Sequence, residues 1–412
     1  MRVNLPRKGN IMKYLVLIMD GAADYPCAEL GNKTPFAVAN KPMTDVLCSK
    51  ATVGLVSNVP EGMVPESDTA NIAILSYDPK VYSKGRSPLE AVSMGIDMKS
   101  DETAFRANVV TLGDEEGYEN KTMIDHSADE ITTKEADLLI KTIDEELGDE
   151  IKKFYTGVSY RHCLIWKDAP EKLEFMRPHD ILGQKIGDYL PPEPFLTLQK
   201  KSYDILSKHP VNLDRISRGL RPANSLWLWS PGKKPALPSF SQKWGLSGAV
   251  ISAVDLIKGI GLCAGMRSID VPGVTGNVNT NYTGKADAAV KAFRDGTEFV
   301  YIHVEGPDEC GHRAELDNKV TAIERIDREI LRPVFDYLAR CGDDYKIMIL
   351  PDHPTPICTR THAMDPVPFL IYDSANEKVS GVDCLDEENA ASTGLYVENG
   401  YKLLDMMIVK GN

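Results

Sequence analysis

Apolar residues near both ends of the chain fall in short unbroken runs, several of which lead into acids or histidines. "YLVLIM" (14–19) runs into Asp20-Gly21, "TEFVYIHVEG" (297–306) leads to Asp308, "YKIMILPDH" (345–353) closes on Asp352-His353, and "VPFLIYD" (367–373) follows. Runs of this length without alternation are expected of strands buried on both faces, as in a parallel sheet. Residues 67–75 read as a helix entered through Ser67-Asp68. Residues 314–340 read as a long helix that Pro333 must kink or restart.

From about Arg106 to Pro272 the texture changes. "GVSYRHCLIW" (157–166) and "NSLWLW" (224–229) alternate, as short half-buried strands do. One of Arg161 and His162 should therefore pack while the other faces out, and Trp227 and Trp229 read as core. In the helix "KEADLLIKTIDEELGDE", positions 138, 139, 143 and 147 are expected to form the apolar stripe, leaving the acidic run as a solvated face. Two strand–helix stretches flanking a different texture predict an α/β fold. Residues 11–104 and 274–412 would form a doubly wound, mostly parallel sheet carrying an inserted α+β domain, residues 105–273.

Composition narrows the function classes. A chain of 412 residues with 42% apolar content exceeds one ordinary core. A formal charge of −13 argues against nucleic acid or an anionic membrane as partner, yet leaves room for a small anion in a local arginine pocket. No apolar run is long enough for a membrane span, and the stretch after "MRVNLPRKGN" is too short for a secretory signal. Residues 1–11 read as a tag before a start at Met12. Eight cysteines without a C-x-x-C pair fit reduced thiols in a cytoplasm, most of them small buried residues.

The acids and histidines at the strand ends are the candidate chemistry. In open α/β sheets ligands gather beyond the carboxyl ends of strands, so Asp20, Asp308, His312, Asp352, His353 and His362 can converge. Asp308 and His312 are four apart and share one face of a helical turn. Taken singly each is weak, since Asp20-Gly21 is also a turn signature and loop histidines are common. A mixed set of carboxylates and imidazoles suits Mn²⁺ or Zn²⁺ better than Ca²⁺ or Mg²⁺.

Ser67, in "MVPESDTANIAILSYD", has no G-x-S-x-G elbow and no histidine within forty residues. A serine hydroxyl needs a base or a metal to act as a nucleophile. At a helix start it would meet a phosphate with backbone N–H groups and the positive end of the dipole. The other reading is that Ser67 or Asp68 is simply an N-cap.

Eight ordered motifs carry a resemblance along nearly the whole chain: "ESDTANIAILSYDP", "GRSPLEAVSMGIDM", "AFRANVVT", "GVSYRHCLI", "AVISAVDLIKGIG", "NTNYTGKADAA", "HVEGPDECGH" and "PDHPTPICTRTHAMDPVPF". They resemble the alkaline phosphatase superfamily, specifically its cofactor-independent phosphoglycerate mutases of archaeal type. The resemblance implies two divalent cations, Mn²⁺ preferred with Mg²⁺, Zn²⁺ or Co²⁺ as alternatives, and no 2,3-bisphosphoglycerate. One cation would be held by Asp20, Ser67, Asp352 and His353, the other by Asp308, His312 and His362. Ser67 would attack phosphorus to give a phosphoserine, and the glycerate, kept in a closed cleft, would take the phosphate back on its other hydroxyl. The substrate would be a small phosphorylated carboxylate, 3-phosphoglycerate or 2-phosphoglycerate, with neither nucleic acid nor membrane as partner. The inserted domain would supply Arg106, Arg161 and His126 to bind it, with Arg86 and Lys285 as further candidates. The resemblance sets no oligomeric state. Ser87, Gly306, Cys310 and the surroundings of Asn277 depart from the usual pattern, which leaves a homoserine phosphotransferase or a phosphatase as alternatives. No P-loop G-x-x-x-x-G-K-[ST] accompanies a kinase reading.

Overall fold

The computed structural model describes residues 12–170 and 174–408. The expected tag before Met12 lies outside them, as do the outermost residues of the expected domains. In chain order the strands are β1 (Met12–Met19), β2 (Thr52–Val56), β3 (Glu102–Leu112), β4 (Met123–Asp125), β5 (Lys152–Val158), β6 (Arg161–Lys167) and β7 (Ser225–Lys233). They continue with β8 (Gly248–Ile251), β9 (Arg267–Ser268), β10 (Phe299–Val304), β11 (Asp344–Leu350), β12 (Val367–Asp373) and β13 (Tyr396–Val397).

The chain divides into two compact units, one comprising Met1–Ser83 and Ala236–Asn412, the other Lys84–Pro235. The first holds an eight-stranded sheet in the order β13-β2-β12-β11-β1-β10-β8-β9. Only β12 runs antiparallel to its neighbours, so the sheet is mostly parallel. Its central strands are buried on both faces, which is why they read as continuous apolar runs. Leu15, Leu17 and Met19 of β1 join Val300, Ile302 and Val304 of β10 and Ile347 and Ile349 of β11 in one large core. Tyr301 and His303 point to the opposite face of β10, because side chains alternate.

The second unit is an antiparallel sheet, β4-β3-β6-β5, with β7 also pairing β3. Its boundaries fall earlier at both ends than the expected 105–273. At the start, Ala91, Ile96 and Met98 pack with Ala104, Cys163 and Ile165, which ties residues 84–104 to this sheet. At the end, β8 hydrogen-bonds β10 in the large sheet, so residues from 236 onward belong with the first unit. The short run "GAVI" is itself a buried parallel strand of the kind seen at the chain's ends.

Two helices differ from expectation in detail. In Thr133–Leu147 the buried face is Ala136, Leu139, Ile140 and Ile143, while Leu138 is exposed. The stripe is rotated by part of a turn from 138, 139, 143 and 147. The long helix is Leu316–Ile326, a π turn over Asp327–Leu331, and a restarted helix Arg332–Leu338 with Pro333 in its first turn. A proline there has no N–H to donate, and the wide π turn before it absorbs the mismatch. On β6, Arg161 is exposed and His162 buried, and both Trp227 and Trp229 are buried, as their alternation predicts. No helix among the described residues is long and apolar enough to cross a membrane, and all eight cysteines are free thiols.

Candidate metal centre and active site

Three parallel strands of the first unit deliver their acids to one place. Asp20 follows β1, Asp352 and His353 follow β11, and Asp308 and His312 stand on the helix Gly306–His312 that leaves β10. Ser67 opens the helix Ser67–Ile74, and His362 comes from the loop before β12. The N-cap of that helix is Glu66, which makes no side-chain capping bond. Ser67 is therefore the first helical residue and not the cap. Its hydroxyl instead lies 3.2 Å from His353 Nε2.

His353 Nε2 is also 3.6 Å from Asp20 Oδ1 and 3.7 Å from Asp352 Oδ2. Asp308 meets two imidazoles, its Oδ2 3.2 Å from His312 Nε2 and its Oδ1 3.4 Å from His362 Nε2. The rings of His353 and His362 stack with centroids 4.0 Å apart. Carboxylate and imidazole donors gather within 4.8 Å of one another in two triads, Asp308–His353–His362 and Asp20–His303–Asp352. This grouping differs from the expected one. His353 stands between the two sets, and His303 approaches Asp20 Oδ2 at 3.2 Å.

The donors fit divalent cations. Asp20 Oδ1 is buried without a hydrogen-bond partner, a costly state for a carboxylate oxygen unless a cation supplies the missing interaction. Burial raises the Asp20 carboxyl well above its ordinary range, and the charges of Asp352 and Asp308 add to that. Burial also opposes the charge on Asp308, but hydrogen bonds from His312 and His362 hold it well below the usual carboxylate value. Asp352 is likewise lowered, with His353 and His303 outweighing its burial. His312 Nδ1 faces the Arg360 carbonyl at 3.0 Å and His362 Nδ1 faces the Pro65 carbonyl at 2.6 Å. A carbonyl only accepts, so both Nδ1 atoms carry hydrogen and both Nε2 atoms turn inward, where loss of a proton exposes the lone pair a metal-binding imidazole requires.

Residues that sequence reasoning passed over complete the surroundings. Asn71, one turn after Ser67, donates to Asp352 Oδ2 at 2.7 Å and to the Ser67 carbonyl at 2.8 Å. Its own amide oxygen accepts from Tyr301. From one face of β10, Tyr301 thus holds the Asn71 that donates to Asp352, and His303 approaches Asp20. Two polar side chains two apart inside "FVYIHV" were the available signal.

Of the five expected substrate-binding residues, Arg86, Arg106, His126 and Arg161 lie in the second unit and Lys285 in the first. Lys285 is fully buried in the first unit, where its ammonium donates to the His303 carbonyl at 2.7 Å. Burial lowers its pKa to about 8, so it underpins β10 rather than presenting a charge to solvent. Within the second unit, Arg86 is the N-cap residue of the helix Ser87–Ser93. Arg106 forks onto both carboxylate oxygens of Glu90 and lies over the Trp229 ring at 4.6 Å. Arg161 is exposed, its guanidinium 5.6 Å from the Tyr160 ring centroid. His126 packs edge-on against the same tyrosine at 5.6 Å, with Asp125 Oδ1 3.9 Å from its Nδ1.

Comparison with known proteins finds relatives over almost the whole chain. A sequence model of the family described as 2,3-bisphosphoglycerate-independent phosphoglycerate mutase matches residues 48–212. A protein of that name from Methanosarcina acetivorans is 44% identical over 402 residues, 96% of this chain and 100% of its own. Another from Methanosarcina barkeri is 45% identical over 402 residues, 96% of this chain and 99% of its own. Among solved structures, the PH0037 protein from Pyrococcus horikoshii superposes with a TM-score of 0.80 at 28% identity, covering 97% of both chains. The cofactor-independent phosphoglycerate mutase from Thermoplasma acidophilum gives 0.66 at 27% identity, covering 97% of this chain and 100% of its own.

Proposed function

Because this chain belongs to the family of 2,3-bisphosphoglycerate-independent phosphoglycerate mutases, we propose that it interconverts 3-phosphoglycerate and 2-phosphoglycerate through a phosphoserine on Ser67. The enzyme class, a phosphoglycerate isomerase, follows from identity over almost the whole chain. The residue roles rest on one observation: Ser67 Oγ stands 3.2 Å from His353 Nε2, beside a buried carboxylate oxygen, Asp20 Oδ1, that lacks a hydrogen-bond partner.

In this reading Asp20, Ser67, Asp352 and His353 hold one divalent cation and Asp308, His312 and His362 the other, with Mn²⁺ preferred. Cations held there would polarise the phosphate and acidify the serine hydroxyl. Ser67 Oγ forms its bond to phosphorus as the bond from phosphorus to the glycerate oxygen breaks. The proton given up by Ser67 is matched by one taken up by the departing oxygen. The reoriented glycerate then attacks the phosphoserine through its other hydroxyl, and Ser67 recovers a proton. The first-turn N–H groups of Ser67–Ile74 have no acceptor within the helix and suit an incoming phosphate. Arg161 is the better candidate fork for the substrate carboxylate, since Arg106 already grips Glu90.

The test is turnover of 3-phosphoglycerate by the Mn²⁺-loaded protein, coupled to enolase, with neither 2,3-bisphosphoglycerate nor ATP present. Turnover, with acid-stable phosphate on Ser67, supports the reading. Release of inorganic phosphate alone would make the protein a phosphatase. Phosphorylation of homoserine from ATP, without mutase turnover, would replace the isomerase by a transferase.

A further inference from the structure

Thr355 is fully buried two residues beyond His353, and no step described above uses it. Its hydroxyl oxygen contacts two groups at once, Asp308 Oδ1 and, at 3.3 Å, His353 Nδ1. A hydroxyl has one hydrogen to give, and a carboxylate can only accept, so that hydrogen goes to Asp308. Toward His353 the hydroxyl oxygen is then an acceptor, and Nδ1 must carry the hydrogen. His353 Nε2 is left with its lone pair. That is the nitrogen 3.2 Å from Ser67 Oγ and 3.6 Å from Asp20 Oδ1.

We infer that Thr355 is a positioning residue that locks both donor sets together, orienting Asp308 in one and fixing the Nδ1–H tautomer of His353 in the other. The inference rests on the two-cation reading above. The threonine backbone is held on both sides. The Thr355 amide donates to the Ala23 carbonyl at 3.2 Å, and its own carbonyl accepts from Lys319 Nζ at 2.8 Å. Lys319 is itself fully buried and bound to Asp24 at 2.6 Å. Gly21 and Gly311 press on the same residue: a Cβ on Gly21 would lie 2.6 Å from Thr355 Oγ1, and one on Gly311 would collide with the Thr355 carbonyl. A simple packing role for Thr355 would need its shape alone. A locking role needs the hydroxyl.

Valine keeps the shape and loses the hydroxyl, whereas serine keeps the hydroxyl and loses a methyl. Wild type, Thr355→Val and Thr355→Ser should be stripped with chelator and titrated calorimetrically with Mn²⁺, with thermal unfolding in chelator as the control for folding. Thr355→Val is expected to lose about 10–100-fold in affinity at both sites, as outer partners of metal ligands do, and Thr355→Ser to stay within about threefold of wild type. Wild-type affinity in the valine variant, a loss at one site only, or an equal loss in the serine variant would overturn the inference. Nitrogen NMR of His353 in metal-free wild type decides the matter even if the valine variant does not fold, because Nδ1–H is expected and Nε2–H would refute it. If the wild type binds no Mn²⁺, it is the two-cation reading that fails, and the nitrogen spectrum still reports on Thr355.

Discussion

His312 Nε2 and His362 Nε2 lie 3.0 Å apart, while Nδ1 of each ring is committed to a carbonyl oxygen, Arg360 and Pro65 respectively. Two lone pairs cannot face each other at that distance, so either a proton or a cation must lie between them. In the metal-free protein it is a proton. The hydrogen bond to Asp308 raises His312 from its ordinary 6.5 to about 9, against its partial burial. His362 is raised as well, Asp308 outweighing the burial that would lower it.

The sign of the pH dependence follows. A histidine whose folded pKa is raised contributes stability that is complete below the unfolded value of 6.5 and is lost as pH climbs through about 9. Metal-free wild type should therefore lose melting temperature across that window, and His312→Gln, which keeps only the raised His362, should lose less. Mn²⁺ affinity should move the opposite way, rising with pH as the competing proton leaves. A wild-type melting temperature that does not change from pH 6.5 to pH 9 would remove the shared proton.

Ser67→Ala should abolish both mutase turnover and phosphoenzyme formation, with a loss on the order of 10³-fold or more expected of a nucleophile. The fold should survive, because Ser67 is not the cap of its helix and its backbone carbonyl keeps the bond from Asn71. Melting temperature checks the fold, and acid-quenched labelled substrate checks the phosphoenzyme. Residual mutase turnover above about 1% of wild type would remove Ser67 from the role.

Chelation should inactivate, and Mn²⁺ should restore activity better than Mg²⁺, because the donors include three inward imidazole nitrogens as well as carboxylates. Binding should also stabilise. At a free Mn²⁺ concentration one hundred times the dissociation constant the gain is about 2.7 kcal/mol for a single site. The relief of like charge among Asp20, Asp352 and Asp308 is its physical source. Full activity in strong chelator would exclude both cation sites.

The candidate ligands were legible because parallel strands buried on both faces leave long apolar runs, and the residues ending those runs stand out. Asp20, Asp352 and Asp308 are of this kind. Their supporting partners were hidden for the converse reason. Tyr301 and His303 lie inside an apolar run and read as core, while Asn71 and Thr355 acquire partners only when distant strands are brought together. Lys285 was a candidate through the resemblance alone, and its burial against the His303 carbonyl is set by a strand eighteen residues away. The unit boundary at Ala236 was missed because β8 is only four residues long.

Arg161→Lys should raise KM for 3-phosphoglycerate about tenfold or more, because an ammonium cannot reproduce the planar two-bond grip of a guanidinium on a carboxylate. Arg161 is exposed in the second unit and all seven proposed ligands belong to the first, so bound Mn²⁺ should be unchanged. The comparable change at Arg106 should act differently. Arg106 is tied to Glu90 and stacked on Trp229, so Arg106→Lys should lower melting temperature as well. Equal KM values for Arg161→Lys and wild type would take Arg161 out of the substrate site.

Gly21→Ala tests the packing on which the whole centre depends. Gly21 has φ +61°, a left-handed conformation that costs a residue with a Cβ about 1–2 kcal/mol. Space is also lacking, since the added carbon would stand 2.6 Å from both Asp308 Oδ1 and Thr355 Oγ1 and 2.7 Å from the Asp308 Cα. The last of these is backbone, so the helix Gly306–His312 would have to move with it. The Gly21 amide also donates to Asp352 Oδ1 at 3.1 Å, so a shift on one side disturbs the other. The variant should therefore lose melting temperature and bind Mn²⁺ more weakly even where it remains folded, the second effect exceeding what strain alone predicts. A variant that is merely destabilised, with wild-type Mn²⁺ affinity, would show that Asp308 can move without loosening the cation sites.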